Sequence, residues 1–318
     1  MDKNLIVGFT GGIGWATAKA LREKGQKVKL FIRDEAKAAK YLDGFEEYEL
    51  FQGDASNSAD IKKALHDCDR LFYCVNVPYT EWAAKAIPLF RVSADASIEQ
   101  RKKFIFPGNV YVYGKPQFNP VTEGHPHHPL TRKGRIREEM EQYLGRAFRS
   151  GRLDYTTVRM PDFYGPFVIN GFTEQLFISA LRGKKLVWYG SPTIEQEYIF
   201  IEDAGKAMAV AGLSDKTAGM SFNIPGYSSI TAKEMLKLIS RLGGKNSGIS
   251  ISNSLFLTKI AGIFNRMAGE FAEMMYLKQE KLLLSGELYR NIFGDLPAVD
   301  YEAGVTKTLK WAKQFYKI

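Results

Sequence analysis

Short runs rich in β-branched and aromatic residues alternate with amphipathic stretches through the first half of the chain. Runs at residues 4–9, 27–32, 48–51, 70–75, 103–106 and 155–160 read as strands. Between them, residues 14–24 end at Gly25, and residues 58–65 place Ile61, Ala64 and Leu65 on one helical face. Strands alternating with helices predict a parallel sheet covered by helices on both sides. Pro88, inside the helical stretch 81–96, predicts a kink or a late helix start, because proline lacks an amide donor.

After Gly165-Pro166 the pattern loosens. A helix is expected over 173–181, strands near 185–189, 197–201 and 220–224, and a helix from Thr231, whose Thr231-Ala232-Lys233-Glu234 has capping-box spacing. Val305, Leu309, Ala312 and Phe315 recur at helical spacing near the end of the chain. The expected organisation is a nucleotide-binding domain over 1–166, with 194–228 returning to it, and a mainly substrate-binding lobe over 167–318.

Composition supports an ordinary folded protein: of 318 residues, 45% are hydrophobic and 25% charged. The N-terminus runs from Met1-Asp2-Lys3-Asn4 straight into apolar residues, without the three regions of a secretory signal, so a cytoplasmic location is expected. No uncharged apolar run approaches the roughly 18 residues of a membrane span. The richest later stretch, 255–277, is broken by Lys259, Asn265, Arg266, Glu270 and Glu273 and reads as an amphipathic core helix. Cys68 and Cys74 lack metal-ligand spacing and read as reduced structural thiols. The net charge of +9 admits phosphate-bearing ligands, but the basic residues are dispersed. The densest group, Arg132-Lys133-Gly134-Arg135-Ile136-Arg137, has no interleaved aromatic residues, which disfavours a nucleic-acid surface.

The candidate chemistry begins at Gly8-Phe9-Thr10-Gly11-Gly12-Ile13-Gly14, which follows the first strand and opens a helix. Glycines at this spacing let the backbone approach a pyrophosphate, whose charge is met by the free amides of the helix N-terminus. Cofactor choice is expected at the end of the second strand, which reads Ile32-Arg33-Asp34. Arg33 offers a guanidinium to a 2′-phosphate and favours NADP(H), while Asp34 leaves NAD(H) open as a ribose ligand.

Four further motifs extend this pattern: Gln52-Gly53-Asp54, Val112-Tyr113-Gly114, Arg159-Met160-Pro161-Asp162-Phe163-Tyr164-Gly165-Pro166, and Tyr198-Ile199-Phe200-Ile201-Glu202-Asp203. With the glycine turn, they make the chain resemble the extended and atypical short-chain dehydrogenase/reductase superfamily of the NAD(P)-dependent epimerase/dehydratase type. The resemblance implies a Rossmann-type doubly wound parallel sheet of about seven strands with a smaller C-terminal α/β lobe. It also implies a small-molecule substrate and a homodimer formed through helices of the Rossmann domain. Cofactor contacts are expected at Gly8, Thr10, Gly11, Gly12, Ile13, Gly14, Arg33, Asp54, Val75, Arg135 and Pro161.

The superfamily's chemistry uses a Ser or Thr three residues before Val-Tyr-Gly and a later Tyr-x-x-x-Lys pair. Asn109 stands at the first position and can still polarise a carbonyl by donating a hydrogen bond. In the register adopted for the second, Thr131 replaces the Tyr and Arg135 the Lys. A Thr hydroxyl is a poor acid and a guanidinium does not exchange its proton. Tyr79, Tyr111, Tyr164, His127 and His128 are therefore candidates to supply a proton or touch substrate, each with packing or solvation as the competing explanation. Gln196 stands where nucleotide-sugar enzymes often carry a phosphate-binding Arg, which disfavours such a substrate. Three readings follow: a carbonyl-directed NADP(H) oxidoreductase, a non-catalytic NADP(H) sensor that binds a partner, and, least favoured, an RNA-binding member.

Overall fold

The apolar run behind Asp2 forms β1 (Lys3–Val7), and Gly8, at a left-handed φ of +95°, turns the chain out of it. This strand begins the computed structural model, which describes residues 2–45, 47–252 and 266–318. Helix α1 (Gly12–Glu23) leads to β2 (Lys27–Ile32), the short α2 (Glu35–Ala39), β3 (Glu49–Gln52), α3 (Ser58–Leu65) and β4 (Arg70–Tyr73). Then follow α4 (Trp82–Gln100), β5 (Lys103–Asn109), α5 (Arg132–Arg149) and β6 (Tyr155–Met160). A later strand, β11 (Met220–Asn223), completes a seven-stranded sheet in the order β11-β6-β5-β4-β1-β2-β3, with every pairing parallel. The order reverses between β1 and β4, and doubly wound sheets of this kind bind ligands beyond the strand C-termini at that point.

One apolar core lies between the sheet and α3, α4 and α5, where Phe90, Phe104, Phe106 and Leu144 are fully buried. The other lies under α1 and α7 (Ile201–Leu213). These two helices touch at their backbones: a Cβ on Gly205 would fall 2.4 Å from the Ala16 carbonyl carbon. Cys68 and Cys74 are both buried as free thiols, as expected.

Between β6 and α7 the chain forms β7 (Asp162–Tyr164), α6 (Thr173–Leu181), β8 (Leu186–Tyr189), β9 (Glu195–Gln196) and β10 (Tyr198–Phe200). Parallel pairing of β7 with β10 joins the central sheet to a third core formed by α6, α8 (Ala232–Leu242) and the C-terminal helix Tyr301–Phe315. The capping box at Thr231 forms, with Thr231 and Glu234 each bonding the other's backbone amide.

Pro88 neither delays nor ends its helix, for α4 runs through it from Trp82 to Gln100. Pro88 and Ala84 are both solvent-exposed, so the carbonyl that loses its amide partner lies where water can bond it. Of the helix expected over 255–277, residues 255–265 lie outside the described residues, and Arg266–Met274 is helical. Among the described residues, no helix is long and apolar enough to cross a membrane.

Candidate active site

The glycine turn is shaped by close approach of backbone. A Cβ on Gly8 would lie 2.5 Å from the carbonyl carbon of Cys74, and one on Gly14 would lie 2.3 Å from the Gly8 oxygen. Gly8 thus lets β1 pass beside the end of β4, and Gly14 lets α1 start against the strand. Gly11 is different: a Cβ there would meet only the Gly8 oxygen, at 3.6 Å. It is also the N-cap of α1, with no side-chain cap bond and no acidic residue in the first turn. An uncapped helix start facing open space suits an anion, so these residues fit a dinucleotide pyrophosphate. Thr10 and Ile13 are partly buried in the same turn, and a Cβ on Gly12 would come within 3.1 Å of the Phe167 carbonyl oxygen.

Arg33 is exposed at the end of β2. Nearby, the amide and hydroxyl of Ser56 both donate to Asp54 at 2.8 Å. These bonds, more than the charge of Arg33, hold the Asp54 carboxyl below its ordinary value. Asp34 is the N-cap of α2, and its Oδ1 accepts from the Lys37 amide at 3.0 Å. Val75 is partly buried just beyond β4, and Pro161 is buried between β6 and β7.

At the end of β5, Asn109 caps a 3₁₀ turn over Val110–Val112, its Oδ1 accepting from the Tyr111 amide at 3.1 Å. This leaves Nδ2 as the group of this side chain that can donate. The Tyr111 and Tyr79 hydroxyls are 2.8 Å apart. Burial holds both phenols above their ordinary value, and the Asp162 charge adds to the shift.

Helix α5 presents a different pair from the one expected. Thr131 is its N-cap and is buried, with Oγ1 accepting from the Gly134 amide at 3.0 Å, and Arg135 faces solvent. The residues turned inward are Lys133 and Arg137, also one helical turn apart. Lys133 is 1% exposed; its Nζ pairs with Glu270, lies 2.5 Å from Glu273 Oε2, donates to the Glu270 carbonyl at 3.3 Å and sits 5.0 Å from the centre of the Tyr79 ring. Both glutamates belong to the helix Arg266–Met274, which therefore covers this edge of the site.

Arg137 stacks on Trp82 and Phe106 at 4.8 and 5.3 Å and donates to the Pro107 carbonyl. It lines a small cavity with Val75, Asn76 and Val77, and its Nε is buried without a hydrogen-bond partner among the described residues. A guanidinium beside the strand ends with an unused donor fits a cofactor ribose or an anionic group.

The other candidates divide sharply. Asp162 binds Lys278 Nζ at 2.6 Å, and that ammonium also lies over the Trp188 and Tyr198 rings. Gln196 is buried and committed to structure: Nε2 donates to the Leu277 carbonyl at 2.5 Å, and Oε1 accepts from Tyr198 at 2.7 Å. Tyr164 is 2% exposed in the third core, packed on Phe200 and Tyr301. His128 is exposed, and His127 is partly buried with its pKa lowered chiefly by burial. His125 accepts from the Gln117 amide through Nε2, and among the described residues no group of three or more potential ligands could hold a metal ion.

Lys133, Arg137 and Asp162 carried no individual expectation. The inward phase of α5, with Lys133, Ile136, Met140, Glu141 and Leu144 buried, was the available signal for the first two, but charged residues within it obscure the apolar period.

Comparison with known proteins places this arrangement among relatives. The chain is 26% identical over 180 residues to dTDP-glucose 4,6-dehydratase from Neisseria gonorrhoeae, covering 53% of this chain and 47% of that protein. Its fold is similar to UDP-glucose 4-epimerase from Thermotoga maritima, solved with UDP-glucose, at a TM-score of 0.81, 18% identity and 99% coverage of both chains. It is similar also to epimerase Mth375 from Methanothermobacter thermautotrophicus, at a TM-score of 0.83 and 15% identity over 99% of this chain and 93% of that one. The sequence pattern of the NAD dependent epimerase/dehydratase family matches residues 4–224, well over half of the sequence, and the chain belongs to that family.

Proposed function

We propose that the protein is an oxidoreductase that binds NADP(H) in preference to NAD(H) and acts on the carbonyl group of a small molecule. The observation that carries this reading is the meeting, along one sheet edge, of an open pyrophosphate cradle at Gly11 with the donors Asn109, Tyr111 and Tyr79. The dinucleotide would lie across the C-terminal ends of β1 and β4, its pyrophosphate on the amides of residues 11–14 and its 2′-phosphate against Arg33. Arg137 would hold its nicotinamide ribose. When bound, the nicotinamide supplies or accepts a hydride. Asn109 Nδ2 would polarise the substrate carbonyl, making its carbon the better hydride acceptor. Engagement of Gln196 with Leu277 and Tyr198 favours a substrate that needs no phosphate contact there.

A second reading is favoured by Lys133: its ammonium is enclosed by Glu270 and Glu273, so the chain's own ion pairs fill part of the expected reaction space. On that reading the protein is a non-catalytic NADP(H) sensor. Isothermal titration with NADPH and NADH, followed by NADPH consumption against a panel of aldehydes and ketones, separates the two. The oxidoreductase reading expects turnover that falls about 10²-fold or more in Asn109→Ala with NADPH affinity retained. Tight NADPH binding with no turnover across the panel would favour the sensor, and no dinucleotide binding would sink both.

A further inference from the structure

We propose that Tyr79 is the residue that exchanges a proton with the substrate oxygen, and that Lys133 is a positioning residue which fixes the Tyr79 ring; this rests on the oxidoreductase reading above. A hydride delivered to a carbonyl carbon sends the C=O π pair to oxygen, which must then take a proton. The Tyr79 O–H bond would break to supply it, leaving the bonding pair on the phenolate oxygen. The Tyr111 hydroxyl, 2.8 Å away, is placed to donate to that oxygen until solvent restores the proton. Carbonyl, hydride and proton thus give an alcohol, and oxidation runs the same transfer backward.

The surroundings single out this hydroxyl. Thr131 Oγ1 is held by the start of α5, Tyr164 lies in the third core, His128 faces solvent, and Arg137 does not release its proton under ordinary conditions. Tyr111 is 7% exposed, whereas Tyr79 is partly exposed. Lys133 is the nearest rival. Its three ammonium protons, however, have three acceptors in Glu270 Oε2, Glu273 Oε2 and the Glu270 carbonyl, which leaves charge but no free donor. The ammonium lies over the face of the Tyr79 ring and holds the ring by cation–π attraction, while the two carboxylates offset its charge. Burial keeps the Tyr79 phenol protonated at neutral pH, the state an acid requires; Asp162 reinforces this, and the bond to Tyr111, Arg137 and Lys278 oppose it.

The test uses the full chain with NADPH and with nitrobenzaldehyde and phenanthrenequinone as carbonyl probes. Tyr79→Phe should lower kcat about 10²-fold or more and remove the alkaline fall of the pH–rate profile, while NADPH affinity stays within about twofold. Tyr111→Phe should leave the profile in place with a smaller loss of rate. Lys133→Arg, which keeps the charge, should preserve more kcat than Lys133→Met at similar NADPH affinity; this comparison reads the site should Tyr79→Phe fold poorly. A Tyr79→Phe protein with undiminished kcat and an unchanged alkaline limb overturns the assignment while leaving the oxidoreductase reading standing. A wild-type protein that binds NADPH but turns over neither probe nor any other carbonyl overturns both.

Discussion

Lys133 and Glu273 are joined twice: the Lys133 amide donates to Oε1 at 3.2 Å, and its ammonium lies 2.5 Å from Oε2. The side chains are 2% and 24% exposed, so the pair ties the first turn of α5 to the helix Arg266–Met274 largely out of water. Glu273→Ala removes both of these contacts but leaves Lys133 paired with Glu270, so a loss of about 1–3 kcal/mol is expected in urea denaturation at neutral pH. Burial opposes ionisation of Glu273, but the bonds and charge of Lys133 outweigh it and hold the carboxyl below its ordinary value. The tether's contribution is therefore complete above the ordinary carboxylate range and lost as pH falls through the lowered pKa. Wild type and Glu273→Ala should converge in stability on acidification. A gap that persists in strong acid would mean that another interaction carries the effect.

Arg33 tests cofactor choice. Arg33→Ala should weaken NADPH about tenfold to hundredfold and NADH no more than about twofold, the difference being one charge-assisted phosphate contact. Fluorescence titration of both nucleotides measures it. Equal losses would refute the preference for NADP(H).

Gly14→Ala places a methyl group 2.3 Å from the Gly8 oxygen, an atom that cannot move aside without shifting β1. A loss of about 1–3 kcal/mol in stability and of most NADPH binding is expected. Gly11→Ala, with nothing nearer than 3.6 Å, should cost little stability and act mainly on the nucleotide. Thermal melts with and without NADPH distinguish the two variants.

Tyr164 has a buried hydroxyl with no partner among the described residues. Tyr164→Phe should therefore leave stability unchanged or raise it by about 1 kcal/mol, with NADPH binding untouched. A marked loss of carbonyl turnover with intact folding would instead return Tyr164 to the site.

Glu197 gives a pH signature of opposite sign. Burial raises its carboxyl from 4.5 to about 8, although the Leu284 and Gly226 amides pull the other way. Between those values the folded chain holds a proton that the unfolded chain has released, so stability falls as pH rises and levels off above about 8. The span is on the order of a few kcal/mol. Glu197→Gln should flatten this decline in thermal melts from pH 5 to 8, and an unaltered slope would show that Glu197 is ionised in the folded state.

The sheet was legible because each early strand carries its own apolar run and ends in a recognisable turn. Gly8 does this for β1, ending it two residues sooner than the apolar run does. The start of α5 was less legible. Thr131 satisfies a four-residue spacing with Arg135, but its oxygen is spent on the helix cap, and spacing says nothing about which face is inward. The contacts that support the site were not readable at all: Gln196 meets Leu277 and Lys133 meets Glu270 across long sequence separations, through contacts that local periodicity does not encode. Pro88 is accommodated inside α4 for a different reason, since exposure of Pro88 and Ala84 lets water take the place of the missing amide.

At Gly205 and Ala16, α1 and α7 pack backbone against backbone, with no side chain between them to absorb a shift. Helix α7 follows directly from β10, which pairs with β7 and so with the strand that carries Asp162. Tilting the amino end of α1 toward a phosphate would therefore drag β10 and shift Asp162 with it. The cradle and the opposite wall of the cleft are thus coupled through close-packed backbone, and a side chain added at Gly205 would disturb both at once.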